Sequence, residues 1–185
     1  MKIVPTATLF LSGLVASVSA QASTYIQLVD KLDRPVDGYC LDVVGNGRYV
    51  RFDMPLTAHN CKGPQPYDDE IVELAEDGSL FFGRYQGCVT VMGNNQTALA
   101  GNALMLKACG IEEPFLNGPV FQKFFFNSNQ QLQLKNSQLC IVAGAESHTT
   151  SSLTHRWRSL YMDYCETTKP KLSQWHVIPA GVKQP

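Results

Sequence analysis

Short apolar runs alternate with polar positions along this chain, and glycine, asparagine or aspartate separates one run from the next. The segments EIVEL, QKFFF and SQWHVI, which begin at Glu70, Gln122 and Ser173, are typical of strands with one buried side. No segment places apolar residues every three or four positions over the length of a helix. Short strands at turn-marked intervals predict an all-β fold, either a barrel or a sandwich.

A turn and another strand follow the first two of these segments. Asp77-Gly78, within AEDGSLFF, is a strong hairpin signal, and NSNQQLQL repeats the arrangement from Asn127. The third segment ends near the end of the chain. We therefore expect its closing strand to come from TYIQLV, residues 24–29, which would bring the two ends of the fold together.

Six cysteines divide the same stretch into three similar units. Within successive pairs the cysteines are 21, 21 and 25 residues apart, and the first members of the pairs are 48 and then 52 residues apart. Six cysteines allow 15 pairings, but this spacing favours three local disulfides. The predicted disulfides are Cys40–Cys61, Cys88–Cys109 and Cys140–Cys165. A zinc site is the rival interpretation, but the sequence lacks a CxxC motif and histidine pairs at helical spacing.

The cysteine spacing is one aspect of a weak threefold repeat. Each unit opens with a cysteine and a short apolar run, in YCLDVV, GCVTVM and LCIVAG, and continues to its second cysteine and then a strand. One unit cannot bury its apolar face alone, whereas three units around a pseudo-threefold axis can. We therefore predict a β-trefoil of three roughly 50-residue repeats, each with an internal disulfide.

Residues 1–20 have the layout of a secretory signal peptide, with Lys2, an apolar run and small residues that end at Ala20. A membrane anchor is the alternative, but Pro5 and several polar residues leave the run short of the roughly 20 apolar residues that a span needs. Cleavage would leave residues 21–185, which suits a single domain. We expect a secreted protein, extracellular or periplasmic, because six cysteines indicate an oxidising compartment.

Composition and charge narrow the classes of partner. The formal net charge is −1, and 17% of the residues are charged against a usual level of about 25%. There is no basic run, so we predict no nucleic-acid partner. A hydrophobic fraction of 44% is enough for a proper core.

At these units the sequence resembles the ricin B-type lectins, over about residues 37–178. That family has a Gly-Cys-Leu-Asp-Val opening, an aromatic residue before the second cysteine and a Gln-x-Trp motif. The corresponding triplets here are Glu70-Ile71-Val72, Gln122-Lys123-Phe124 and Ser173-Gln174-Trp175. In the family this motif is mostly structural, so the resemblance implies that Val72, Phe124 and Trp175 are core residues.

The resemblance also implies one sugar site, in the first unit. In the family an aspartate two places after the first cysteine holds sugar hydroxyls, and an aromatic two places before the second cysteine stacks on the ring. Asp42 and His59 occupy these places, and Asp69 and Glu70 occupy the downstream polar places. Carboxylates suit this task because hydrogen bonds to charged acceptors contribute about 1.5–3 kcal/mol.

The other two units lack this combination. The second has Thr90 and Lys107 at the aspartate and aromatic places, and the third has Val142 and Asp163. In the first unit, three acidic groups in one pocket repel each other unless a cation or a protonated carboxyl intervenes. Asp42 has an alternative interpretation as a turn residue that caps the loop GNGR.

Further aromatic residues are candidates without an assigned place. Tyr49 and Tyr67 are alternative stacking faces. Trp157, between Arg156 and Arg158, belongs either to a contact patch or to a solvated loop with a half-buried tryptophan.

These observations predict a secreted carbohydrate-binding protein whose partner is a glycan or a glycoprotein. The alternative is a non-enzymatic trefoil used for protein contact, such as a protease inhibitor or a binding subunit of a secreted assembly. An enzyme is disfavoured because Asp69 and Glu70 are adjacent, and alternation along a strand would point them to opposite faces. We expect no catalytic residue, no cofactor, no metal and no membrane span.

Overall fold

The computed structural model describes residues 23–63, 65–95, 97–113, 116–150 and 152–181. Within these ranges the protein is all-β, which confirms the predicted fold class. The strands are β1 (Thr24–Leu28), β2 (Tyr39–Asp42), β3 (Thr57–Asn60), β4 (Glu73–Leu74), β5 (Leu80–Phe82), β6 (Gly87–Val91), β7 (Leu104–Ala108), β8 (Glu112–Glu113), β9 (Leu116–Asn117), β10 (Phe124–Phe126), β11 (Leu132–Leu134), β12 (Leu139–Ala143), β13 (His148–Thr149), β14 (Arg156–Tyr164) and β15 (Trp175–Pro179). The helices are the four-residue α1 (Gly118–Phe121) and α2 (Pro170–Ser173), with single 3-10 turns at Gly47–Tyr49 and Gly83–Tyr85.

The large sheet curls into a half-barrel with the strand order β10-β11-β12-β14-β3-β2-β1-β15, and β13 pairs with β14 beside that path. A second sheet has the order β4-β5-β6-β7, and β8 pairs with β9. Several contacts join the second sheet to the first, and two of them involve the start of β7. Ala103 forms an isolated bridge with Tyr161, and the Leu56 N–H donates to the Leu104 carbonyl at 2.8 Å. The predicted signal peptide, residues 1–20, lies outside the described residues.

The two ends of the described fold pair with each other. β1 and β15 run antiparallel over five residues, from Thr24 opposite Pro179 to Leu28 opposite Trp175. This pairing confirms the closing strand predicted for residues 24–29. At the predicted hairpin turn, Gly78 has φ +91°, and a Cβ there would lie 2.7 Å from the Phe124 carbonyl oxygen. Glycine is therefore required at this turn on both conformational and steric grounds.

The three predicted disulfides are confirmed, with Cα–Cα distances of 5.1, 5.0 and 5.1 Å in chain order. In each case the first cysteine is the second residue of a strand, and the second cysteine directly follows the strand paired with it. We call these elements the first, second and third disulfide hairpins. They are β2–β3 with Cys40–Cys61, β6–β7 with Cys88–Cys109, and β12–β14 with Cys140–Cys165.

The core contains the three residues that occupy the tryptophan place of the eroded motif. Val72, Phe124 and Trp175 are all buried in one apolar cluster, as predicted. Each also donates its backbone N–H to a carbonyl of a strand or turn outside its own strand. The bonds are Val72 to Thr24 at 3.0 Å, Phe124 to Gly78 at 2.7 Å and Trp175 to Gln130 at 2.9 Å. The three segments thus enter the core in the same manner.

All three predicted strands begin later than their sequence patterns indicated. In SQWHVI the strand begins at Trp175, because Ser173 is the last residue of α2. In EIVEL only Glu73–Leu74 forms a strand, because the N–H groups of Glu70 and Ile71 donate to the Tyr67 carbonyl in a turn. In QKFFF the strand begins at Phe124, because α1 ends just before it at Phe121. No helix among the described residues is long and apolar enough to cross a bilayer.

Candidate functional site

A pocket of about 1100 Å³ opens where the first and third disulfide hairpins meet. Its floor is one face of the sheet β2-β3-β14, in which Asp42 lies opposite Thr57, and Thr57 lies opposite Ser159. Side chains of directly opposed residues project from the same face of an antiparallel sheet. These three residues accordingly form one polar row across the pocket.

Three of the four predicted sugar-site residues meet in this pocket. Asp42 projects from β2, His59 projects from β3, and Asp69 reaches the pocket from the turn before β4. Glu70 is not among the lining residues. The structure also places both alternative aromatics, Tyr49 and Tyr67, on the pocket wall.

Lys62 holds the two aspartates together, and sequence reasoning missed it. Its Nζ donates to Asp42 Oδ2 at 2.6 Å and also to Asp69 Oδ2. The side chains of Lys62, Asp42 and Asp69 are only 16%, 4% and 3% exposed, so the triad is largely removed from water. A cation was required to offset the acidic groups, and the signal was the basic residue directly after Cys61. The disulfide fixes that position beside β2.

Glu70 supports the triad from behind. Both of its carboxylate oxygens accept from the backbone N–H of Lys62, at 3.0 and 3.1 Å, and the residue is fully buried. Burial raises the pKa of Glu70 to about 7. The acidic cluster therefore contains a carboxyl that still carries its proton in mildly acidic solution, in addition to the Lys62 cation.

Burial and neighbouring charge shift the pKa values of Asp42 and Lys62 in opposite directions. Burial raises the pKa of Asp42 well above its usual range, although Lys62 opposes this shift. Burial disfavours the Lys62 cation, but attraction to Asp42 and its hydrogen bonds to the two aspartates raise the pKa of Lys62. One ammonium faces three buried carboxyl groups, and the raised pKa values of Asp42 and Glu70 reduce the negative charge that Lys62 has to offset.

His59 presents a neutral ring to the pocket. Its Nδ1 lies 3.0 Å from the Asn60 carbonyl oxygen, which can only accept, so Nδ1 carries the proton and Nε2 keeps a lone pair. Burial, followed by the charge of Lys62, lowers the pKa of His59 to about 4. At neutral pH the ring is therefore an uncharged flat surface with one acceptor nitrogen.

Asp69 has an unused acceptor. Its Oδ1 is buried and has no hydrogen-bond partner among the described residues. Lys62 has three N–H donors, and two of them engage the aspartates. Asp69 lines the pocket, and its unpartnered Oδ1 belongs to the same carboxylate as the Oδ2 that the Lys62 ammonium binds. A hydroxyl both donates and accepts, so it matches this arrangement.

The possible metal-ligand atoms next to the triad do not form a metal site. Atoms of Cys40, Cys61 and Glu70 lie within 4.8 Å of one another. Both sulfurs belong to the first disulfide, however, and the metal ligand is a thiolate rather than a disulfide. This grouping is therefore not a candidate metal site.

Comparison with known proteins identifies the fold but not a family. No protein-family model matches the chain, and no curated protein sequence matches it. The chain is similar to the solution structure of an mdaA-1 domain, with 13% sequence identity and a TM-score of 0.58. The match covers 91% of this chain and 100% of that domain. At this level of identity the similarity concerns the fold alone.

Proposed function

We propose that this protein is a secreted carbohydrate-binding protein, a diverged β-trefoil of the ricin B type with one sugar site in its first disulfide hairpin. The observation that carries the proposal is the buried, unpartnered Oδ1 of Asp69 beside the Lys62 ammonium. A buried acceptor without a partner costs about 1–3 kcal/mol. A ligand hydroxyl that donates to it recovers this cost on binding.

The trefoil assignment has structural support of its own. The three disulfide hairpins have equivalent cysteine positions, and the three core residues Val72, Phe124 and Trp175 make equivalent backbone bonds. The three disulfides also indicate an oxidising compartment, which agrees with secretion.

The aromatic walls suit the apolar C–H face of a sugar ring. Tyr49 is 64% exposed and Tyr67 is 61% exposed, and both line the pocket beside the neutral ring of His59. Exposed aromatics are enriched in binding sites because they supply a large rigid surface and few rotatable bonds. In this proposal the aromatic faces bind the ring, and Asp69 and Lys62 bind its hydroxyls.

Two other polar residues of the site, Asp42 and Glu70, hold Lys62 in position. Asp42 fixes the Lys62 ammonium, and Glu70 fixes the Lys62 backbone. The proposed role is binding without catalysis, because both pocket carboxylates are bound to the same ammonium group.

The test is glycan-array binding of the mature, oxidised protein beside Asp69→Ala. Loss of a hydrogen bond to a charged acceptor lowers affinity about ten- to a hundredfold. The matched control is Asp163→Ala, which removes an aspartate of β14 that lies outside the pocket. Thermal unfolding of all three proteins establishes that each is folded.

Two outcomes would contradict the proposal. One is an array on which the wild type binds no glycan, and the other is equal binding by the wild type and Asp69→Ala. Binding is expected to be the same with calcium and with EDTA, since Lys62 already supplies the cation.

A second candidate function is protein contact, and the exposed apolar rim of the pocket favours it. Tyr49, Met54 and Tyr67 are all exposed and line the same opening. Inhibition assays against trypsin, subtilisin and papain test the protease-inhibitor form of this candidate. Inhibition that Met54→Ser abolishes, together with an empty glycan array, would replace the sugar-binding proposal.

A further inference from the structure

The pocket continues beyond the first hairpin onto β14 of the third hairpin. The proposed sugar site uses none of the residues at this end of it. They are Thr150, His155, Trp157, Ser159 and Tyr161.

The strand register places Trp157 directly beside His59. In the sheet, His148 lies opposite Trp157, Trp157 lies opposite His59, and His59 lies opposite Cys40. Opposed residues share a face, and neighbouring strands are about 4.8 Å apart. A ligand that crosses the strands from the Asp69 end therefore passes from the His59 ring to the Trp157 ring.

The indole of Trp157 is supported from the far side. The His148 ring lies 5.0 Å from it with an interplanar angle of 37°, and Trp157 itself is half-buried. The His155 ring lies 5.7 Å from the His59 ring, at the boundary between the two ends of the pocket. Trp157 is thus held in place while part of its surface faces the pocket.

We propose that Trp157 forms a second aromatic subsite, so that the preferred ligand is a neutral oligosaccharide of two or more rings rather than a single sugar. This inference rests on the proposed function and extends it across the seam between the first and third hairpins. One ring lies against the first-hairpin site, and the next ring lies against the indole.

The size and charge of the pocket both support this occupant. A volume of about 1100 Å³ is at the upper end of ligand pockets and exceeds what one ring fills. The polar row of Asp42, Thr57 and Ser159 runs parallel to the aromatic row, and this suits a ligand with both hydroxyls and apolar faces. Asp42 and Asp69 give one end an acidic character, which disfavours uronic, sialic or sulfated sugars.

The test is calorimetry with oligosaccharides of one to four rings. The probes are β-1,4-linked glucose, β-1,4-linked N-acetylglucosamine and β-1,3-linked galactose, with trigalacturonic acid as the acidic comparison. For the series that binds, the wild type is expected to gain at least tenfold in affinity from one ring to the longer members. Trp157→Ala is expected to lose that gain and to bind the single ring as the wild type does.

Matched variants separate the subsite from folding. Trp157→Phe keeps an aromatic face and is expected to retain most of the gain. Tyr164→Ala removes a 51% exposed aromatic of the same strand outside the pocket and is expected to leave affinity unchanged. If Trp157→Ala is unfolded, His155→Ala replaces it, and the affinity of His155→Ala for the longer members is expected to be at least threefold lower than that of the wild type.

The outcomes distinguish this inference from the function on which it rests. Equal affinity for one ring and for longer members overturns the subsite and leaves the first-hairpin site intact. So does equal affinity for the longer members in the wild type and in Trp157→Ala, or in His155→Ala where that variant replaces it. Tighter binding of trigalacturonic acid than of any neutral probe overturns the neutral ligand. Failure of every probe to bind the wild type overturns both proposals.

Discussion

The first and second disulfide hairpins share one backbone arrangement and differ in the charges that they hold. In the second, Gln122 Oε1 accepts from the Gly110 N–H at 2.7 Å, one residue after the second cysteine. In the first, Glu70 accepts from the Lys62 N–H at the same place after Cys61. Both hairpins thus use the residue at the glutamine place of the motif to hold the chain behind the disulfide.

The polar groups of the second hairpin satisfy each other. The Gln122 amide donates to Thr90 Oγ1 at 2.8 Å, and the Thr90 hydroxyl donates to the Cys88 carbonyl at 2.9 Å. Phe121, buried in the core, precedes Gln122 where Asp69 precedes Glu70. The groups behind this disulfide are therefore uncharged, and each of them has a hydrogen-bond partner.

The first hairpin replaces those neutral groups with charged ones and leaves Asp69 Oδ1 without a partner. A buried ion pair is often less stabilising than apolar packing of the same volume, and an unpartnered acceptor adds a further cost. The backbone that the hairpins share stabilises the fold. The charged residues that replace neutral ones in the first hairpin lower stability but form a candidate site.

The largest expected effect comes from removal of the cation. Lys62→Met leaves Asp42 and Asp69 buried without a partner, and loss of one member of a buried pair costs about 3–5 kcal/mol. The free energy of urea unfolding at pH 7 measures this loss. The loss of unfolding free energy caused by Lys62→Met should be smaller at acidic pH, because protonated carboxyls carry no charge for a cation to offset.

The control for Lys62→Met is Lys123→Met, which breaks the ion pair of Lys123 with the exposed Asp77. An exposed pair is worth about 0–1 kcal/mol. Equal costs for the two lysine variants would show that the first hairpin is not a special electrostatic environment.

An intermediate effect is expected from Glu70→Gln, which gives the first hairpin the residue of the second. The pKa of Glu70 is raised from 4.5 to about 7 by burial, so between these values the folded protein binds more protons than the unfolded chain. The wild type therefore loses stability from this group as pH rises through that window. The advantage of Glu70→Gln over the wild type should grow from pH 4.5 to above pH 7 and reach at most about 3 kcal/mol.

The reciprocal variant, Gln122→Glu, should bring the same pH dependence into the second hairpin. Urea unfolding at pH 5 and pH 8 measures both variants against the wild type. A constant difference between Glu70→Gln and the wild type at these two pH values would contradict the raised pKa.

An effect of comparable size, with the opposite sign, is expected at His59. Its pKa is lowered from 6.5 to about 4 by burial and by Lys62, so between these values the folded protein binds fewer protons than the unfolded chain. The wild type loses stability from this group as pH falls through that window. The stability of His59→Phe relative to the wild type should therefore improve from pH 6.5 to pH 4.

Imidazole NMR gives a direct check on His59. The expected midpoint of its titration is about 4. A midpoint above 6 would contradict the proposal that His59 presents an uncharged ring because burial and Lys62 lower its pKa. The second hairpin has Lys107 at the matching place, so it provides no ring to titrate.

Much of the fold could be predicted because its signals are local. The cysteine spacing predicted all three disulfides, and Asp77-Gly78 predicted its hairpin turn. The extents of EIVEL and QKFFF could not be predicted, because hydrogen bonds of a turn and the end of α1 interrupt the alternation.

The candidate site was predictable only in part. The resemblance to the ricin B-type lectins implied Asp42, His59 and Asp69, and the structure brings these three residues into one pocket. Glu70 was expected to join them, but the turn before β4 directs its carboxylate to the Lys62 backbone instead.

The sequence by itself determined the all-β class, the disulfides, the closing strand and the one hairpin that differs in charge. The class, the disulfides and the charge difference depend on residue type and short spacing, which the chain carries in any conformation. The closing strand was predicted from the repeat, because the third unit ends before a closing strand of its own. Only the tertiary structure decided that Lys62 joins the two aspartates and that Trp157 lies beside His59. The pairing of β3 with β14 brings together residues 98 positions apart, and such a register is selected by packing of the whole core rather than by either strand alone.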